Sequence, residues 1–348
     1  MLSVRNLIIL RLSRFLALLC LSLPLTAIAQ GTSREPAFRD NYYDVVVRDA
    51  NAWVVGYYGT ILHSSDRGAT WTVQNSTTSE ALFRVVFLDP ALGWASGSYG
   101  TLLHTRDGGK SWQKQTTNTE EQLLGLHFLD SGLGWAVGSR GIILRTGNGG
   151  ATWASGSVGE DIILNDVLFR DPKNGWAVGE FGRIYRTQDG GRTWTKHKSP
   201  IEVDFVSGES RNLFRLLFDR ATGWAFGLDG SILKMQGGER WEIAGSDGAA
   251  PPNDKRHHLF SAASFNGTRW AVGERGTLLV SVSGDHRWKR AAVKIPSLSL
   301  NGIAFGADGF GLIVGNRGLI LRTDNGGESW QSIGIIPNAP GKGVARPR

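Results

Sequence analysis

The chain has 348 residues, a formal net charge of +7, 20% charged residues, 47 glycines, 13 tryptophans and a single cysteine. One cysteine excludes a disulfide framework, and so mild a basic excess without a recognised binding motif excludes a nucleic-acid binder. The length would fit two average domains, but a repeat that runs almost unbroken makes one repeat-built domain the simpler reading.

The chain opens MLSVRNLIILRLSRFLALLCLSLPLTAIAQ, with Arg5, Arg11 and Arg14 ahead of an apolar run over 15–29 that ends in Ala27-Ile28-Ala29. This is the layout of a secretory signal peptide over 1–29, cleaved before Gln30. The run is short for crossing a bilayer, so the mature protein is expected to be extracytoplasmic, in the periplasm or an equivalent compartment, and not itself transmembrane. Cys20 lies inside the leader behind Leu18 and Leu19. A lipid-attachment site wants a small residue there, so lipidation is not expected and the mature chain is thiol-free. Loss of Arg5, Arg11 and Arg14 takes the formal charge from +7 to +4. A short N-terminal segment, 30–41, follows.

From residue 42 one unit recurs seven times. Trp71, Trp112, Trp153, Trp194, Trp241, Trp288 and Trp330 close the copies at spacings of 41, 41, 41, 47, 47 and 42 residues. Trp53, Trp94, Trp135, Trp176, Trp224 and Trp270 hold a second position, where the seventh copy has Leu312. Well-preserved copies read GWASGSYGTLLHTRDGGKSW (93–112) and GWAVGEFGRIYRTQDGGRTW (175–194), each preceded by a short apolar run such as LFRVVFLD (82–89). Short segments rich in aromatic and β-branched residues, bounded by Gly, Asp, Asn or Ser, predict four strands per unit, A to D, and almost no helix. Seven such units predict an all-β fold, a seven-bladed β-propeller over 42–336. A four-stranded blade is apolar on both faces and must press against its neighbours. Burial of each tryptophan contributes on the order of 4 to 6 kcal/mol gross.

Two turns recur with the unit. Paired glycines three residues apart, from Gly56 and Gly59 to Gly315 and Gly318, suit a tight B–C turn that exploits positive φ. The segment before the closing tryptophan carries Asp66, Asp107, Asn148, Asp189 and Asn325. An Asx side chain there is expected to bond N–H groups two residues ahead, making a structural staple in the C–D turn rather than a calcium or catalytic site. Units five and six lack the acid.

Strand alternation puts the staples on one end of the ring, and the B–C turns on the other with the blade-to-blade connections. The B–C turns carry Tyr57, Tyr58, Tyr99, Arg140, Phe181, Asp229, Arg275 and Arg317, and aromatic and arginine side chains on exposed turns anchor protein contacts. Two long connections, near 199–211 and 245–258, share that end, and loops on a rigid scaffold concentrate binding. On strand C, His63, His104, Arg145, Arg186, Lys234 and Arg322 share one place. They form a basic belt if exposed, or lids over apolar surface if their stems are buried. On strand A, Asp44, Arg84, Asp166 and Arg215 align, placed to line the axis or to pair across blades. The tail, 337–348, is basic, rich in Pro and Gly, and expected to be disordered.

The unit GWAVG-x-x-G-x-I/L-x-R-T-x-D-G-G-x-T-W resembles the bacterial neuraminidase-like repeat. More closely it resembles the photosystem II stability and assembly factor family of secreted seven-bladed propellers, over 42–334 in seven copies. The resemblance implies a scaffold without cofactor, metal or catalytic residues that binds a newly made reaction-centre subunit and helps to assemble its complex. It also implies an arginine-rich contact surface, matched here by Arg140, Arg275 and Arg317 on the turns and by Arg84 and Arg215 on strand A. The expected partner is therefore a membrane protein complex or an envelope protein, bound by a monomer.

The rival class is a glycoside hydrolase of the sialidase type, which carries similar staples. That chemistry needs two carboxyls held about 5 to 9.5 Å apart, or a tyrosine nucleophile with an acidic base. The acids off the staples, Asp44, Asp166, Glu180, Asp204, Asp229 and Glu274, are scattered, and no spacing pairs them. LFRVV at 82–86 lacks the proline of the sialidase arginine segment and has a near twin at 213–217.

Overall fold

The computed structural model describes residues 40–203, 209, 211–219, 222–244, 257–282 and 287–333. The chain divides into units 1–35 and 36–348, and all described residues belong to the second. The leader, the tail over 337–348, part of the connection near 199–211 and most of that near 245–258 lie outside the described residues.

Seven four-stranded antiparallel sheets follow one another, each built in the order A-B-C-D from one continuous segment. The innermost strands are Tyr42–Arg48, Leu82–Phe87, Leu123–Phe128, Leu164–Phe169, Leu213–Asp219, Leu259–Phe265 and Leu300–Phe305. Each touches the next, and the seventh returns to the first, so the A strands close a circle. The seven-bladed propeller anticipated from the repeat is the observed fold. Among the described residues no helix is long and apolar enough to cross a membrane.

The tryptophans join the blades. Trp53 of blade one lies flat on Phe87 at the end of the next inner strand, with ring centroids 3.7 Å apart, and Trp112 meets the same phenyl edge-on at 5.8 Å. Trp94–Phe128–Trp153 and Trp135–Phe169–Trp194 repeat this sandwich. The phenyl ring explains the glycine before the strand-B tryptophan, since a Cβ on Gly93 would stand 2.6 Å from the Phe87 ring. Where the phenylalanine is absent the glycine is absent too: Val47 goes with Ala52, and Ser264 pairs with Arg269. The indole N–H groups of Trp53, Trp94 and Trp135 each donate to a staple carbonyl of the following blade, on Gly108, Gly149 and Gly190, all at 3.0 Å.

The staples are built differently from the sequence expectation. Asp107 reaches four residues ahead rather than two: Oδ1 accepts from Ser111 N–H at 2.9 Å, and Oδ2 from the Ser111 hydroxyl. The Thr105 hydroxyl takes the nearer donors, Asp107 N–H and Gly109 N–H. The Ser111 hydroxyl and N–H hold the Asp107 carboxyl well below its ordinary range, at about 2. Asn148 makes the equivalent bonds to Thr152 with an amide.

Among the described residues no strand is exchanged to close the ring. At other junctions the second glycine of a B–C turn donates to the segment leading into the next blade, as Gly100 does to Glu121 O at 2.9 Å and Gly276 to Leu298 O at 2.6 Å. In the seventh blade Gly318 donates to Asp40 O at 2.8 Å, so the N-terminal lead-in takes the place of a connection. Arg317 N–H donates to Asn41 Oδ1 and Asn301 Nδ2 to Tyr42 O, while Arg67 on the staple end pairs with Asp308 and Asp324. Residues 40 and 41 therefore contribute hydrogen bonds to closure but no strand.

Two expectations follow. Trp135→Ala should cost about 3 to 5 kcal/mol in urea unfolding, whereas Arg67→Ala, which removes two surface ion pairs and a cation–π contact with Phe310, should cost no more than about 2 kcal/mol. The staple bonds of Asp107 stabilise the fold fully above the ordinary carboxyl pKa of 3.8 and are lost as the pH falls through about 2. In NMR titrations the Ser111 amide should therefore shift across that window, while the Thr152 amide, held by Asn148, should not.

Candidate functional site: the turn face

The B–C turns use their glycines for two different reasons. The first glycine has an extended φ, between −172° and −162° at six of the turns, and positive φ does not explain it. It is required because a Cβ on Gly97 or Gly138 would collide with the carbonyl of Ala81 or Gln122 in the blade's own lead-in. Only the second glycine is left-handed, with φ between 62° and 73°. The residue before it is left-handed as well, and it is never glycine: Tyr58, Tyr99, Arg140, Phe181, Asp229, Arg275 and Arg317 all have φ between 49° and 59°. That conformation costs on the order of 1 kcal/mol for a residue with a Cβ, and aspartate or asparagine tolerates it best. Yet only Asp229 is of that kind. The sequence pattern pointed to these residues through exposure; their shared left-handed backbone was not legible in it.

The consequence is a circle of outward side chains at equivalent places. Tyr58 is 53% and Tyr99 69% exposed, Tyr57 stands beside Tyr58 with ring centroids 6.1 Å apart, and Arg140, Asp229, Arg275 and Arg317 are exposed. Phe181 departs from this, leaning into the core beneath its blade. In ring order Arg317, Tyr58, Tyr99 and Arg140 form one arc, two tyrosines between two arginines. Glu121 lies 3.4 Å from Arg140 and Glu274 3.9 Å from Arg275. Exposed pairs of this kind are weak, so both guanidinium groups are open to exchange. Three turns are tied to the next blade by its lead-in side chain: the N–H of Phe181, Asp229 and Arg317 donates to Asn212 Oδ1, His258 Nδ1 and Asn41 Oδ1.

Arg84 and Arg215 do not join this arc. Arg84 is 8% exposed, and its guanidinium crosses from blade two to Asp166 of blade four at 2.9 Å, with Asp44 of blade one 3.9 Å away. Gly125 holds the same place in blade three and offers no side chain to obstruct it. Arg215 lies 4.0 Å from Asp166 with a half-buried side chain. The carboxylates also serve the free inner edges of the A strands, Asp44 accepting from Val85 N–H and Asp166 from Leu216 N–H. Burial raises both acids and Arg84 opposes the shift. This strand-A cluster pairs across blades and ties four of them at the axis.

The strand-C belt is a set of lids. Each member faces the strand-B tryptophan or Leu312 across the sheet. His63 and His104 stack on Trp53 and Trp94 at 4.9 and 5.0 Å, and Arg186 and Lys234 lie over Trp176 and Trp224. Burial lowers His104 to about 4, so it is neutral near pH 7.

Among the described acids considered for hydrolysis, Asp44 and Asp166 meet at the Arg84 guanidinium, and the others stand elsewhere. Asp44 and Asp166 are spent at the axis. Glu180 is buried and accepts from Ile163 N–H at 2.7 Å. Asp229 and Glu274 stand on turns of different blades beside His258 and His257, each at 3.8 Å. Asp204 lies outside the described residues. Among the described residues no group of three His, Cys, Asp or Glu could hold a metal ion.

A family-level sequence model described as photosynthesis system II assembly factor YCF48 matches residues 32–118, 151–253 and 259–345. No curated protein sequence matches the chain. Among solved structures, YCF48 bound to D1 peptide is 22% identical with a TM-score of 0.64, covering 87% of this chain and 99% of that one. YCF48 from Cyanidioschyzon merolae is 19% identical with a TM-score of 0.63, covering 82% and 95%. The GH74 xyloglucanase from Xanthomonas campestris is 14% identical with a TM-score of 0.66, covering 85% of this chain and 55% of that one. At these identities the structural likeness is one of fold.

Removal of Arg84 tests the axial cluster. Arg84→Ala leaves two buried carboxylates without their main cation and should cost about 3 to 5 kcal/mol at pH 7. Their folded pKa values then rise further above the unfolded value, so the loss should shrink as the pH is lowered through the raised pKa. Urea unfolding at several pH values checks both the size and the sign.

Proposed function

Because the chain belongs to the photosystem II assembly factor YCF48 family, we propose that it is a non-catalytic extracytoplasmic scaffold. In this reading its turn face binds a segment of a membrane protein and assists the assembly or stability of that protein's complex. The observation that carries the proposal is the circle of left-handed turns. Each of the seven turns holds a residue with a Cβ in this conformation at a backbone cost; six of the side chains point outward, and for the five of these that are tyrosine or arginine the cost is repaid by what they contact. The family relative solved with a D1 peptide supports a peptide segment as the ligand. The secretory layout of 1–29 supports an extracytoplasmic compartment, and the self-contained fold supports a monomer.

Glycoside hydrolysis is the second reading, favoured only by the fold shared with GH74 enzymes. Among the described residues, the acids that would serve it lie buried and ion-paired at the axis or apart on separate blades. Turnover of xyloglucan or a sialoside, abolished by neutralising one of those acids, would establish it instead.

The expected partner is captured by the mature protein from detergent-solubilised host membranes as one defined membrane polypeptide. Arg140→Glu with Arg317→Glu, or Tyr58→Ser with Tyr99→Ser, should reduce its recovery at least about tenfold while leaving the melting temperature within a few degrees. Undiminished recovery by both double variants would move the binding site off this face.

A further inference from the structure

All seven inner strands begin with the same irregularity. Between Leu82 and Arg84, and at the equivalent place in every other A strand, pairing with strand B skips one residue. Such a β-bulge re-aims a side chain. The skipped residues are Tyr43, Phe83, Phe214 and Phe260 in four blades, and Leu124, Asn165 and Asn301 in the others. All seven are half-buried, whereas the residue before each is buried.

Four of these side chains reach the following blade. The Tyr43 ring lies 5.7 Å from Phe83 and Phe214 lies 5.6 Å from Phe260. Asn165 Nδ2 donates to Leu213 O at 2.8 Å and Asn301 Nδ2 to Tyr42 O at 2.7 Å. The bulges thus form an inner circle about the axis, at the end of the ring that carries the left-handed turns. One residue further along the strands, Arg84 and Asp166 bridge across the axis, so the circle has a charged floor. It is mainly apolar, because five of its members are aromatic or leucine and both asparagines spend their amides on a neighbouring backbone.

A small apolar centre inside a polar rim is the layout in which one inserted side chain carries most of a contact's free energy. The rim decides what flanks that side chain: its seven left-handed residues include Arg140, Arg275 and Arg317 against the single acid Asp229. We propose that the bulge circle is the anchor point of the turn face, receiving one apolar side chain of an extended protein segment. Carboxylates on either side of that side chain meet the rim arginines in place of Glu121 and Glu274. The inference rests on the partner-binding reading of this face and adds the position of the anchor and the chemistry of the segment.

Photo-crosslinking in the full mature protein separates the two claims. p-Benzoylphenylalanine is placed at Phe83 in the inner circle, at Arg140 on the rim, or at Val73 on the outer edge of blade one, and each variant is irradiated with solubilised host membranes. Crosslinked peptides are then sequenced by mass spectrometry. The expected result is one segment captured from both Phe83 and Arg140, joined at Phe83 through an apolar residue with Asp or Glu within a few positions, and not captured from Val73. Phe83→Ala with Phe214→Ala should lower its capture from Arg140 about tenfold while circular dichroism stays unchanged and the protein remains folded at the assay temperature. Capture from Arg140 but not from Phe83 would overturn the anchor and leave the face reading intact. No capture from either position would overturn both. A segment without nearby carboxylates, or a lipid adduct at Phe83, would overturn the proposed chemistry.

Discussion

The contact on which the ring depends is an indole laid flat against the phenyl ring of the following blade. In blades one to three the strand-B tryptophan stacks on that phenylalanine and donates its N–H to the neighbour's staple carbonyl. One side chain thus supplies apolar burial, ring stacking and a satisfied donor at a single junction. Gln74 and Gln115 reinforce it by donating to the same carbonyls and accepting from Trp112 and Trp153 of the next blade. The staple is consequently an interface element as much as a turn, which accounts for the recurrence of an Asp or Asn in the motif.

Departures from the motif show what substitutes for it. Blade five has no Asx staple, and the Trp176 indole N–H finds no acceptor, while its ring still packs against Phe218 at 5.0 Å. Blade six lacks both staple acid and phenylalanine. There Arg269, from blade six itself, lies over Trp224 of blade five at 4.9 Å and binds Asp219 of that blade at 2.9 Å, so a cation takes the place of the phenyl ring. At the seam between blades seven and one the stack is replaced by Leu312 and Val47 packed with Trp71 and Phe310. Arg67 spans the surface of that seam and reaches over the Phe310 ring. Side-chain chemistry varies among the junctions while blade spacing is kept.

Architecture was largely legible in the chain because a fixed tryptophan period admits few arrangements, and strand number and blade number both followed from it. Turn residues such as Tyr99 and Arg140 were legible as exposed through their place between paired glycines. Arg84 was not legible as buried: its place on strand A is shared by aspartate, glycine and serine, and only the circle of inner strands brings Asp166 within its reach. The bulges were invisible for a related reason, since Tyr43 or Phe83 in an apolar run reads as one more alternating strand position until the register with strand B is known. The staple geometry was misjudged by two residues because the Ser or Thr hydroxyl, rather than the acid, occupies the nearer donors.

Since every blade is complete within one stretch of chain, its strands pair with close neighbours in sequence, and loop closure within it is entropically inexpensive. Six of the seven junctions can therefore form progressively as the polypeptide emerges during synthesis. The last must wait until Asp40 and Asn41 meet the turn ending in Gly318. Until then the partly built spiral has two unprotected apolar blade faces, one at each extremity. The final snap of this seam, rather than the making of any single sheet, is where maturation of the protein is most exposed to misassembly with a second copy.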